Sequence, residues 1–167
     1  MRPCYRPCQA SDADGEQTGE RWIGINWGTS YNRIYGKDEA YVENQVASAA
    51  RFLIDEGYKI YVYPVWGPDR EACKRLCDKI AAPDKVVYDA EVHSYETYLQ
   101  LMKRFNLTIN FKLHANVLSA AADVPFICWG TVSNRSISPI PSVCLNWPSP
   151  RTRRSWPIAF ATRRLMR

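Results

Sequence analysis

A chain of 167 residues, 46% hydrophobic and 13% aromatic, is long enough to bury one ordinary globular core. It has no uninterrupted apolar run of roughly 18–20 residues that would span a membrane. Its opening, Met1-Arg2-Pro3-Cys4, lacks the apolar core of a secretory signal. The net charge of +5 hides an asymmetry: all 17 acidic residues lie at or before Asp123, and 7 of the 22 basic residues are arginines from Arg135 onward. The body is therefore slightly acidic and the tail basic, which argues against a nucleic-acid-binding face on the folded part.

The six cysteines, at positions 4, 8, 73, 77, 128 and 144, match no compact secreted disulfide framework. They read as free thiols in a reducing, cytoplasmic setting. With only His93 and His114 as nitrogen ligands, no paired zinc motif forms, so neither a metal nor another cofactor is expected.

Residues 1–20 are polar and without period, and are expected to form a disordered leader. Arg21 to Asn26 (RWIGIN) reads as a short apolar strand running into Trp27-Gly28-Thr29-Ser30-Tyr31-Asn32. Such a Gly, Thr, Ser and Asn loop can turn amides and hydroxyls toward a ligand, or simply supply turn residues. Asp38 then caps a helix whose predicted apolar stripe is Val42, Val46, Ala49, Ala50 and Leu53, with Gly57 just past its end.

Tyr58 to Val65 is rich in β-formers, with Pro64 marking its end. Gly67-Pro68-Asp69 opens a helix over Arg70 to Ile80, Pro68 serving as a first-turn proline. Lys85 to Tyr88 is a short strand. His93 falls in the loop before Ser94, which caps a helix with the predicted stripe Tyr95, Tyr98, Leu99 and Met102.

From Leu107 the period is two, with Leu107, Ile109 and Phe111 against Thr108, Asn110 and Lys112. At Leu113-His114 it becomes helical, through Val117, Leu118, Ala121 and Ala122. The small residues Ala115, Ser119 and Ala120 would let this helix sit close to a sheet. Val124 to Trp129 is a buried strand. Lys112 and His114 therefore fall where a strand gives way to a helix, the edge at which open α/β sheets bind ligands and helix amides meet anions.

The alternation predicts an α/β fold: a Rossmann-like open parallel sheet of about five strands with helices on both faces, over residues 21–130. Residues 131–167 contain no Asp, Glu or Lys but five prolines and show no period. They are expected to form a disordered basic tail, either an interaction segment or a stretch read from an altered frame.

At GINWGTSYNRIYG (Gly24–Gly36) and FKLHANVLSAAADVPFI (Phe111–Ile127) the chain resembles the C-terminal half of the polysaccharide pyruvyl transferase family. Members commonly carry Arg-Leu-His where this chain has Lys112-Leu113-His114; lysine keeps the charge and loses the planar fork. The resemblance implies half of a GT-B-type transferase, hence a fragment of the full enzyme. It also implies transfer of the enolpyruvyl unit of phosphoenolpyruvate to a sugar or polysaccharide precursor as a pyruvate ketal.

On that reading His114 is the catalytic candidate, delivering a proton or holding phosphate as imidazolium. Lys112, Gly28, Thr29, Ser30 and Asn32 bind substrate, and Asn26 is a further candidate. A structural histidine and a solvated lysine at a strand end are the plainer alternatives. Two other functions compete: a glycosyltransferase half-domain with a nucleotide-sugar donor, and a non-catalytic nucleic-acid or membrane-surface binder acting through the tail. No nucleic-acid partner is expected for the folded part, and membrane association would be peripheral.

Overall fold

A computed structural model describes residues 19–29, 38–129 and 143–146. The elements run β1 (Arg21–Asn26), α1 (Glu39–Asp55), β2 (Tyr58–Tyr63), a 3-10 turn (Gly67–Asp69), α2 (Arg70–Ile80) and β3 (Val86–Tyr88). They continue with α3 (Tyr95–Met102), β4 (Leu107–Asn110), α4 (Leu113–Ala121), β5 (Phe126–Trp129) and β6 (Val143–Asn146). The strand order is β3-β2-β1-β4-β5-β6. β1 to β5 are mutually parallel, and β6 pairs antiparallel with β5.

The five parallel strands and the helices between them are the Rossmann-like unit expected from the alternation. β6 falls in the stretch expected to carry no element, where no periodicity marks it. Four residues suffice because an antiparallel edge strand needs no covering crossover.

Helices cover both faces of the sheet. Ile23 and Ile25 of β1 and Ile60 and Val62 of β2 pack with Val42, Val46 and Ala50 of α1 and with Leu76 and Ile80 of α2. Tyr61 and Tyr63 point the other way, toward Tyr98, Leu101 and Met102 of α3 and Leu118 of α4. Full burial of a side chain such as Ile25 or Ile60 contributes about 1.5–3 kcal/mol, so this double cover supplies most of the drive to fold. Gly24 lies where the ring of Phe105 crosses β1: an added Cβ would meet that ring at 2.6 Å.

The capping signals act as expected. Asp38 accepts from the Ala40 amide at 3.1 Å, and Ser94 accepts from Thr97 at 3.3 Å. Gly57 takes φ +86° just beyond α1, a left-handed turn that disfavours a side chain.

The helix faces are rotated from the predicted stripes. α1 buries Glu39, Glu43 and Ala47 along with Val42, Val46 and Ala50, while Ala49 and Leu53 are half-buried. α3 buries Tyr98, Leu101 and Met102 and exposes Tyr95. α4 buries Ala115, Leu118 and Ser119; Val117 is 54% exposed and Ala120 and Ala121 face solvent.

The cause on α4 is polar. Asn110 donates through Nδ2 to Ala115 O at 3.2 Å and to Ser119 Oγ at 3.0 Å, and Ser119 also bonds Thr108 Oγ1 at 2.8 Å. Those bonds turn the 115–119 side of the helix toward β4. They also explain why all four β4 residues are buried despite the alternating pattern.

Candidate functional site

The chain leaves β1 toward β2 on one side and later returns to place β4 on the other. The strand order therefore reverses between β1 and β4, where an open sheet forms a crevice at its C-terminal edge. Asn26 and Asn110 are the paired last residues of these strands. Beyond them come Trp27-Gly28-Thr29 from β1 and Phe111-Lys112 from β4.

Fully buried Asn26 fixes this edge: Nδ2 donates to Tyr63 O at 3.1 Å, and Oδ1 accepts from the Lys112 amide at 3.1 Å. It braces three strand ends from beneath. Lys112 is the extended residue that starts α4 (φ −113°, ψ 143°), and its side chain makes no cap bond. The helical ladder starts with Ala115 and Asn116, both of which donate to Lys112 O. The amides of Leu113 and His114 precede it and have no intrahelical acceptor.

The Lys112 ammonium donates to Thr29 O at 2.9 Å and lies 3.3 Å from Asp69 Oδ1 and 5.5 Å from the Trp66 ring centre. Its side chain is 20% exposed and that of Asp69 is fully buried. Asp69 Oδ1 also accepts from the Thr29 amide at 3.1 Å, whereas Oδ2 is buried without a partner among the described residues. Burial pushes the Asp69 carboxyl above its ordinary range; Lys112 and the Thr29 amide offset only part of this.

Gly28 is required by this pair. A Cβ there would meet Asp69 Cγ and Lys112 Cε at 2.5 Å each. Thr29 is committed as well: its amide serves Asp69, and its hydroxyl donates to Glu39 Oε2 at 2.8 Å. Glu39 in turn pairs with Arg75 at 2.9 Å. Buried Glu43 lies 3.0 Å from Lys79, 3.5 Å from Arg75 and 3.2 Å from the Trp27 Nε1 donor.

His114 stands in the first turn of α4, exposed and without a hydrogen-bond or ion-pair partner among the described residues. Lys112, Gly28 and Thr29 are thus brought together at the crevice, with His114 two residues along the helix. Ser30 and Asn32 lie outside the described residues. His93, half-buried in the β3–α3 loop, sits 2.6 Å from Asp89, which also accepts from Tyr61 at 2.8 Å.

Sequence reasoning missed Asp69, Trp66 and Glu39. Asp69 carries a signal only in hindsight: it follows Pro68 at a helix start and reads as punctuation, yet its side chain makes no cap bond to α2. An ammonium, two open helix amides and an exposed imidazole at one sheet edge suit a small anion.

The sheet and its covering helices form a Rossmann-like α/β unit. Among solved structures it is similar to the glycosyl transferase family 9 protein from Veillonella parvula DSM 2008, with TM-score 0.54 and 18% identity, over 68% of this chain and 30% of that one. It is likewise similar to the E. coli ADP-heptose lps heptosyltransferase II, with TM-score 0.51 and 17% identity, over 66% of this chain and 33% of that one. The chain therefore spans about a third of either structure. No curated protein matches it. The polysaccharide pyruvyl transferase family model matches residues 7–131, and the chain belongs to that family. Among the described residues no helix is long and apolar enough to cross a membrane.

Proposed function

We propose that this chain carries the donor site of a cytoplasmic pyruvyl transferase that moves the enolpyruvyl unit of phosphoenolpyruvate to a pair of sugar hydroxyls. The observation that carries the reading is Lys112 at the switch-point crevice, immediately ahead of the two open amides of α4. Phosphoenolpyruvate offers a phosphate and a carboxylate, the charges such a site attracts.

In the reaction a proton adds to the vinyl CH2 carbon, and the neighbouring carbon becomes oxocarbenium-like. One sugar hydroxyl attacks that carbon and loses its proton. The carbon–oxygen bond to phosphate then breaks, and the second hydroxyl closes the ketal and releases its own proton. His114 is exposed where it can deliver the first proton or hold the leaving phosphate. The acceptor is a sugar of a polysaccharide precursor, held with the help of a second Rossmann-like half.

Isothermal titration of phosphoenolpyruvate into the wild type, Lys112→Ala and His114→Ala tests this. A loss of about tenfold or more on removing Lys112 is expected, since a charge-assisted bond is worth about 1.5–3 kcal/mol. Equal affinity in all three removes both residues from the site. A second reading, a nucleotide-sugar donor, rests on the fold shared with the heptosyltransferase. Tight ADP-sugar binding without phosphoenolpyruvate binding would favour it.

A further inference from the structure

We infer that Asp69 is a positioning residue of the anion site that holds Lys112 neutralised while the site is empty and takes up a proton when the anionic ligand binds. The inference rests on the proposed donor site and specifies how its charge is regulated.

Three independent features of the geometry carry it. Lys112 does not project freely: its ammonium is held between Thr29 O at 2.9 Å and Asp69 Oδ1 at 3.3 Å. Gly28 is the only residue type that leaves room for this contact, because any Cβ would stand 2.5 Å from both partners. Asp69 Oδ2 is buried and has no partner among the described residues, so one carboxylate oxygen remains open to a proton.

Among the described residues, the groups that face Asp69 are Lys112 ahead of α4, Glu39 on α1, the Cys73 thiol on α2 and the Thr29 amide. Glu39 is matched by Arg75 at 2.9 Å, and burial keeps Cys73 a neutral thiol. Among the described residues only Lys112 therefore balances Asp69.

A phosphate or carboxylate drawn to that ammonium brings a second negative charge to a carboxylate that cannot turn to water. Like charges at a shared buried site keep one proton between them. The Asp69 carboxyl already binds a proton more readily than an exposed one, because desolvation disfavours its charge. Protonation restores a net positive Lys112 to the anion without moving the lysine.

Calorimetric titration of phosphoenolpyruvate at pH 7.5–8.5, in buffers of differing ionisation enthalpy, counts the protons taken up. This range lies above that in which phosphate and imidazole titrate. The wild type should take up more protons per ligand than Asp69→Asn, and its affinity should fall as pH rises. Asp69→Asn should bind with no such uptake and with affinity independent of pH. Binding without proton uptake by the wild type, or unchanged uptake in Asp69→Asn, overturns the inference and leaves the donor site standing. If Asp69→Asn does not fold, the wild-type proton count alone decides. No binding of phosphoenolpyruvate by the wild type at any pH overturns the donor site and this inference together.

Discussion

Replacing Gly28 by alanine adds one methyl group, and the effect can be worked from two distances. The new Cβ would sit 2.5 Å from Asp69 Cγ and 2.5 Å from Lys112 Cε, far inside ordinary contact. Lys112 is long and can give way at its tip. Asp69 is fully buried, short, and tied to the Thr29 amide, so the backbone must yield. Overpacking of this kind typically costs about 1–3 kcal/mol, or roughly 4–13 °C in Tm for a domain of this size. Phosphoenolpyruvate affinity should fall about tenfold, the worth of one disturbed charge-assisted bond.

Urea unfolding and calorimetric titration measure the two effects. A cycle with Asp69→Ala isolates the cause, since removing the carboxyl makes room for the methyl group and should cut most of the Gly28→Ala stability cost. If Gly28→Ala unfolds at the wild-type urea midpoint and binds with wild-type affinity, the packed Gly28–Asp69–Lys112 arrangement is refuted.

Other outcomes follow from the same contacts. Glu43→Ala should cost about 1–3 kcal/mol in urea unfolding, chiefly by stranding the buried Trp27 N–H. Arg75 is half exposed and Lys79 one-third exposed, so both can return to water and add little. Asn110→Leu should cost at least as much, because Tyr63 OH, Ala115 O and Ser119 Oγ all lose a partner; a midpoint shift within error would contradict this.

The Asp69 carboxyl is raised above 3.8 in the folded state, so the native protein binds that proton more tightly than the unfolded chain does. Its contribution to stability is present below about pH 4 and is lost as pH rises through the raised value. The difference in stability between wild type and Asp69→Asn should therefore move in favour of the variant from acid to neutral pH, and a flat difference opposes the assignment. Burial pushes the Cys77 thiol up to about 12 and Cys73 higher still. Peptide mapping after brief alkylation at pH 8 should find both unmodified unless the protein is first unfolded.

The architecture was legible because the switch between periods of two and 3.6 repeats through the chain, and α1, α2 and α3 announce themselves with Asp38, Pro68 and Ser94. Lys112 and His114 were legible for a related reason: they stand where one period ends and the next begins. The buried charges were not. Glu39 and Glu43 resemble solvent-facing helix residues until Arg75 and Lys79, more than 30 positions later, cross over them.

Asp69 likewise acquires its meaning only from Lys112, on a strand end 43 residues away in sequence. The Gly-Thr loop read as a donor of amides to a ligand, whereas the Thr29 amide serves Asp69 and Gly28 serves by having no side chain. Helix stripes slipped because Asn110 and Ser119, two polar residues, orient α4 more firmly than the apolar Val117 does.

The central claim is that a small anion binds at the C-terminal edge between β1 and β4. An amide-resolved NMR titration with phosphoenolpyruvate tests it most directly. Saturable shifts should concentrate at Thr29, Lys112, Leu113 and His114 and vanish in Lys112→Ala. Shifts confined to the opposite edge of the sheet, near Arg21 and Tyr58, or none at all at millimolar ligand, would contradict it.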